Sequence, residues 1–192
     1  AADGSYSFNN LPAGTFSVAV SGLPAGVLPT FDLDGVSSAN SATLTLTTGQ
    51  SRTDVDFGYQ GTGSLGNFVW LDRNGDGVQD SGEPGIAAVT INLTWAGLDL
   101  TFGTTDDITQ TTTTDTAGAY LFTGLPAGEY RVSVEGTSLP TGLYATYDLD
   151  GTANSTTDTS LSAGQARADV DFGYRGSGTI GDRVWFDTNG DG

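Results

Sequence analysis

A fixed long repeat constrains this chain more than any single motif. GTGSLGNFVWLDRNGDG, from Gly61 to Gly77, returns as GSGTIGDRVWFDTNGDG from Gly176 to Gly192, so Trp70 recurs as Trp185 after about 115 residues. DGSYSFNNLPAGTFSVAV from Asp3 reappears as TAGAYLFTGLPAGEYRVSV from Thr116, and TDVDFGYQG from Thr53 as ADVDFGYRG from Ala168. A unit of this length can bury one core without staples, since domains commonly run to roughly 100–150 residues. The repeat is out of phase with the chain. Residues 1–61 read as the C-terminal half of one copy, 62–176 as a complete copy, and 177–192 as the N-terminal strand and partial loop of a third. The chain is therefore expected to be a segment of a longer array. Residues 1–61 alone would expose a sheet edge and half a core, to be completed by preceding chain or by a strand from another molecule.

Within the complete copy, short apolar/polar alternations separated by Gly, Pro, Asn and Asp predict half-buried strands. Val89, Ile91, Leu93 and Trp95 alternate along one face, as do Tyr120 and Phe122, then Tyr130, Val132 and Val134 beyond the turn Leu125-Pro126-Ala127-Gly128. Ala168, Val170, Phe172 and Tyr174 alternate against Arg167, Asp169 and Asp171. No stretch keeps a helical period. About seven strands joined by turns predict an all-β antiparallel sandwich repeated in tandem. Only Gln-Gly-Thr-Gly-Ser lies between Tyr59 and Leu65, and Arg-Gly-Ser-Gly-Thr between Tyr174 and Ile180, so neighbouring repeats should form a semi-rigid rod.

Composition narrows the function. The net charge of −17 comes from 23 acidic residues against six arginines, with no lysine or histidine. Such a chain repels nucleic acid and anionic membranes and attracts cations. No apolar run is long enough to span a membrane. Without His or Cys there is no Ser-His or Cys-His nucleophile pair and no His-based zinc site, so no enzyme is expected.

One motif carries chemistry. Asp72-Arg73-Asn74-Gly75-Asp76-Gly77-Val78-Gln79-Asp80-Ser81-Gly82-Glu83 matches the twelve-position calcium loop. Asp72, Asn74 and Asp76 supply side-chain oxygens at positions 1, 3 and 5, and Gly77 permits the sharp turn at position 6. Val78 would offer its carbonyl, Asp80 would bind directly or through water, and Glu83 would close the set. The spacing is what a hard cation requires, because six or seven oxygens must converge from one loop. The loop follows the strand-like Phe68–Leu71 and precedes Val89–Trp95, so a bound Ca2+ would clip two strands together. Asp187, Asn189 and Asp191 repeat the first half of the loop.

A second acidic group comprises Asp148 and Asp150 with Asp169 and Asp171, echoed by Asp32, Asp34, Asp54 and Asp56. Residues two apart in a strand share a face, so these pairs are either a second calcium site or solvated charges that discourage edge pairing. Asp106 and Asp107, in the insertion Leu98–Ile108, form a weaker acidic pair. Asn92-Leu93-Thr94 and Asn154-Ser155-Thr156 match the glycosylation triplet, a pattern of low specificity.

The string Gly118-Ala119-Tyr120-Leu121-Phe122 through Leu125-Pro126-Ala127-Gly128-Glu129-Tyr130-Arg131-Val132 resembles the core of prealbumin-like, collagen-adhesin B-type domains. The Trp70–Glu83 loop and Asp169-Val170-Asp171-Phe172-Gly173-Tyr174 resemble the calcium-binding B repeats of serine-aspartate-repeat surface proteins. This resemblance implies a Greek-key, prealbumin/Ig-like sandwich, an extracellular or cell-surface location, and calcium-stiffened stalk modules. Many relatives carry a Lys–Asn isopeptide crosslink, which a chain without lysine cannot form. The expected function is a structural stalk or extracellular filament whose partners are neighbouring repeats or identical subunits end to end. The alternative is an adhesin module for a host, matrix or carbohydrate ligand, with the 98–108 insertion as its natural contact loop.

Overall fold

A computed structural model describes residues 4–192. Fourteen strands follow in chain order among these residues: β1 (Gly14–Ala19), β2 (Val27–Phe31), β3 (Ser41–Leu46), β4 (Gly58–Gly61), β5 (Gly63–Leu65), β6 (Val69–Leu71), β7 (Thr90–Trp95), β8 (Ile108–Thr113), β9 (Phe122–Leu125), β10 (Gly128–Val134), β11 (Leu143–Tyr147), β12 (Thr156–Leu161), β13 (Ala166–Arg167) and β14 (Phe172–Gly176). The only helical pieces among them are two single 3-10 turns, and no helix is long and apolar enough to cross a membrane.

Strands β5 to β14 build a β-sandwich. One face is an antiparallel sheet in the order β12-β10-β7-β8, and the other combines β11-β14-β6 with β13-β5-β9. The chain crosses from β10 to β11 on the opposite face and returns with β12, a Greek-key path. The alternation read from the sequence explains which residues turn inward: Ile91 and Leu93 of β7, Tyr130, Val132 and Val134 of β10, and Phe172 and Tyr174 of β14 are buried together with Leu65, Val69 and Val170. Burying each large apolar side chain contributes about 1.5–3 kcal/mol. The Tyr130 hydroxyl donates to the Pro126 carbonyl at 2.6 Å and so fastens the Leu-Pro-Ala-Gly turn to the strand that follows it.

Two features depart from the expected antiparallel sandwich. The pairs β13–β5 and β14–β6 are parallel, with Phe172 opposite Val69 and Tyr174 opposite Leu71. The opening strands enter beside the closing ones and run in the same direction, an arrangement that alternation alone does not specify. The closing strand is also shorter than expected. Regular pairing starts at Phe172, and Ala168 is exposed, because Asn67 and Phe68 direct their amides to Val170 and Asp171 instead of continuing the ladder.

Residues 4–61 form two-stranded sheets, β1–β3 and β2–β4, with the same registers as their counterparts. The joint to the complete sandwich is tight. Ala127 donates its amide to the Ala25 carbonyl at 2.9 Å, Thr62 donates to Gly26 at 2.9 Å, and Gly61 lies so close to the Leu125–Pro126 peptide that a Cβ there would collide with it. Residues 177–192 follow β14 without pairing to any strand, and Ile180, Val184, Trp185 and Phe186 are exposed.

Candidate metal centre

The twelve-residue loop is held at both ends before any ligand is considered. Strand β6 is buried and paired with β14, and Asp72 continues that pairing by donating its amide to the Tyr174 carbonyl at 2.7 Å. At the exit, Leu71 donates to Pro84 at 2.8 Å and Ile86 donates to Val69 at 2.9 Å. The loop therefore leaves and rejoins the sandwich at neighbouring points and leads on toward β7. Gly75 and Gly77 take positive φ angles of 78° and 74°, which an L side chain resists.

The loop's oxygens are arranged by its own amides. Asp72 accepts hydrogen bonds from Gly75 at 2.6 Å and Gly77 at 3.0 Å. Asn74 Oδ1 accepts from the Asp76 amide and Asp76 Oδ1 from the Val78 amide, at 3.0 and 2.9 Å. Glu83 folds back across the loop, taking the Arg73 amide on Oε1 at 2.6 Å and the Asp80 amide on Oε2 at 3.2 Å. The Asn74 side-chain nitrogen lies between Asp76 and Asp80, donating at 2.9 and 3.0 Å. Arg175 adds a hydrogen bond to the Asn74 carbonyl at 3.1 Å, a contact that the repeat pattern gave no reason to expect.

Asp72 is fully covered, by its own loop's backbone rather than by deep core. Burial pushes its carboxyl pKa up, but the nearby Thr146 hydroxyl and the amides of Gly77, Gly75 and Asp76 outweigh this, so the pKa falls below the ordinary value. Val78 is exposed and can contribute only its backbone carbonyl to an ion. Among the described residues, no three acidic, His or Cys side chains converge closely enough to form a metal cluster. Like charges separate where only amides balance them, and here the Asn74 amide stands between two of the carboxylates.

The second acidic group is not assembled as expected. Asp169 is paired with Arg167 at 2.8 Å, and Asp171 accepts the amides of Phe68 and Asn67 at 2.9 and 3.3 Å. Asp150 caps Thr152 at 2.8 Å and is exposed. The four carboxylates therefore have separate partners, and a joint four-carboxylate site is corrected. Burial raises the Asp171 pKa against the opposing pull of the two amides.

Asp148 alone turns toward the calcium-type loop. It is buried, its Oδ2 accepts the Asn154 amide at 2.9 Å, and its Oδ1 has no hydrogen-bond partner. Burial, with Asp150 alongside, raises its pKa. It lines a cleft of about 270 Å³ together with Asp76, Gly77, Thr146 and Tyr147. An orphaned carboxylate oxygen beside a loop of hard oxygen donors is the environment a divalent cation would satisfy, so the residues fit calcium. The sequence paired Asp148 with Asp150, which does lie beside it, but gave no sign that Asp148 also shares a cleft with Asp76 of the loop.

The partial loop repeats the local geometry in the open. Asp187 accepts the amides of Gly190 and Gly192 at 2.7 and 3.1 Å, and the Asn189 side-chain nitrogen donates to Asp191 at 2.7 Å. In the 98–108 insertion, Asp106 holds the Leu98 amide at 2.8 Å and Asp107 the Gly103 amide at 2.7 Å, so these carboxylates shape the loop. Phe102 lies under the Arg131 guanidinium, 4.4 Å from the ring centre.

Comparison with known proteins follows the same lines. The SdrD B-like domain family matches residues 63–174. Serine-aspartate repeat-containing protein D of Staphylococcus aureus strain Newman is 36% identical across the whole chain, and bone sialoprotein-binding protein of strain MRSA252 is 34% identical. The chain spans only 14% and 17% of those two relatives. Among solved structures, the minor pilin GBS52 of Streptococcus agalactiae aligns over 93% of this chain and 66% of its own, with 16% identity and a TM-score of 0.39. The shaft pilin SpaA of Lactobacillus rhamnosus GG aligns over 87% and 66%, with 10% identity and a TM-score of 0.35.

Proposed function

The chain belongs to the SdrD B-like domain family, and from that premise we propose that it is a calcium-stiffened module of an extracellular stalk or filament. The family membership makes it a cell-surface, tandem-repeat β-sandwich with a structural rather than an enzymatic role. Asp72, Asn74, Asp76, Asp80 and Glu83 would hold the ion with the Val78 carbonyl, and Asp148 would add an oxygen from the flank. The observation that carries this is the buried, unpartnered Asp148 oxygen facing the same cleft as Asp76.

Bound Ca2+ would supply charge neutralisation and a rigid crosslink, with no chemical transformation. The chain's own residues do the rest. Asp72 couples the loop to β14 through Tyr174, Glu83 closes the loop across its mouth, and Asp148 couples it to the end of β11. A cation bound only by the folded state stabilises it by linkage, by about 4 kcal/mol at a thousandfold excess over its dissociation constant. Thermal and urea unfolding in millimolar calcium and in EDTA test the proposal. A higher midpoint with calcium, absent for magnesium at equal ionic strength, is expected; identical midpoints in calcium and EDTA would sink it.

A further inference from the structure

One edge of the complete sandwich carries a row of backbone groups with no partner and nothing guarding them. Strand β8 lies outermost in the order β12-β10-β7-β8, and its register on β7 runs unbroken from Ile108 opposite Trp95 to Thr113 opposite Thr90. The bond from the Thr114 amide to the Val89 carbonyl fixes the phase of this ladder. Bonded positions alternate in an antiparallel pair, so Ile108, Gln110 and Thr112 turn their amides and carbonyls to β7 while Thr109, Thr111 and Thr113 turn theirs outward. Among the described residues, no hydrogen bond takes up these outward groups, and the three threonines are exposed.

Edge strands are usually blunted by a charge, a proline, a bulge or a covering loop. Ile-Thr-Gln-Thr-Thr-Thr has none of these. The opposite edge of the same sheet is guarded. There β12 carries Asp158, held bidentate by Arg131, the Thr156 amide donates to Asn154 at 2.9 Å, and Arg167 reaches the Ser160 carbonyl at 3.5 Å. The joint with residues 4–61 is made by hydrogen bonds at Ala127 and Thr62 and by none on β8.

The flanks of this edge name the chemistry of its partner. Asp106 and Asp107 stand just before β8 and Asp115 follows Thr114 just after it, and no ion pair among the described residues involves any of the three. Arg131, whose field reaches Asp107, is already committed to Asp158. A second copy of this chain suits the edge poorly. Antiparallel pairing about Thr111 would set Asp107 of each copy opposite Asp115 of the other, and like charges directly opposite destabilise a sheet. The net charge of −17 on each chain adds to the repulsion. A cationic strand reverses both effects. We propose that the outer edge of β8 takes up an extended, basic peptide segment of another protein as an added antiparallel strand, with cationic side chains at its two ends over Asp107 and Asp115. Its backbone bonds to Thr109, Thr111 and Thr113, its polar side chains lie beside those threonines, and its apolar ones lie beside Ile108, which is 52% exposed. This docking uses neither the calcium-type loop nor the joint between repeats.

The probe is the acetylated, amidated peptide RVTVTVTVR, whose central residue falls opposite Thr111 and whose arginines fall opposite Asp115 and Asp107. Titration of the labelled peptide with the full chain, followed by fluorescence anisotropy, should show one-to-one binding that weakens as salt rises. N-methylation of the central residue, whose amide points at β8, should weaken binding at least tenfold, whereas N-methylation of the residue beside it, whose amide points away, should leave binding intact. The variant Thr111→Pro removes one outward amide and no bond to β7, so the chain should keep its melting midpoint and lose at least tenfold in affinity. Asp107→Asn combined with Asp115→Asn keeps the oxygens that hold the Gly103, Ala117 and Ala119 amides and should weaken binding by a similar factor at low salt. Equal binding of the two methylated peptides, or undiminished binding by T111P, overturns the proposal. So does a parent chain that pairs with itself through this edge, seen by light scattering as a doubled mass that T111P abolishes.

Discussion

The amide of Asp72 donates to the carbonyl of Tyr174 at 2.7 Å, so the first residue of the acidic loop is also the last link in the parallel pairing of β6 with β14. Loop and sandwich are thereby one mechanical element. The variant Asp72→Ala should lose the calcium-dependent part of the stability and more besides, because it strands the Gly75 and Gly77 amides that Asp72 now satisfies. Gly75 is exposed and Gly77 half-buried, so water takes up part of that loss and the cost stays near the net worth of a hydrogen bond, about 0.5–1.5 kcal/mol for each. Urea unfolding in EDTA should therefore show D72A less stable than the parent chain, while Asp76→Ala, at an exposed position, differs mainly when calcium is present.

Tyrosine burial predicts alkaline weakness. Burial pushes Tyr120 and Tyr130 well above the ordinary value of 10.0 and Tyr174 up to about 12. The folded state thus holds protons that the unfolded chain releases near pH 10, and stability falls as pH rises through that window. Midpoints should be flat from pH 8 to about 9.5 and drop steeply above pH 10. Tyr174→Phe should reduce the drop if packing is kept, as followed by tryptophan fluorescence.

Asp171 acts in the opposite pH range. Its folded-state pKa is raised above the ordinary 3.8, chiefly by burial. Its contribution is therefore fully present below the unfolded value and is lost as pH rises through the folded value. Asp171→Asn keeps an oxygen for the Phe68 and Asn67 amides without the charge. Comparison of urea midpoints from pH 3.5 to 7 should show D171N gaining on the parent as pH rises; parallel curves would count against this assignment.

The path of the acidic loop was legible because Asp, Asn and Gly alternate there in a pattern that few other structures use, and local amide bonds then fix it. The place of Asp148 beside that loop was not. Alternation describes Asp148 and Asp150 only within a strand, and β11 finishes at Tyr147, so the two stay neighbours while Asp148 is buried against the loop cleft and Asp150 is exposed. Asp169 and Asp171 likewise precede β14. Inward-facing residues such as Ile91, Leu93 and Val132 could be read from period two, but which strands lie side by side could not. The parallel placement of β5 and β6 depends on packing at long sequence separation.

The joint between repeats supplies the last expectation. Ala127 bonds to Ala25 across it, and Gly61 brings the two backbones into direct contact at Leu125 and Pro126. The two backbones approach closely here, an approach that any side chain at residue 61 would prevent. Gly61→Ala should leave each unit folded, since Gly61 is extended and its collision is with the neighbouring repeat. It should also force the repeats apart and release their relative orientation. The absence of cysteine allows clean spin labelling of S17C and S160C, both at exposed positions. The parent chain should give one narrow distance distribution, and G61A a distribution at least twice as broad with an unchanged melting midpoint for the complete sandwich. An equally narrow distribution in G61A would show that the joint is held by something other than this contact.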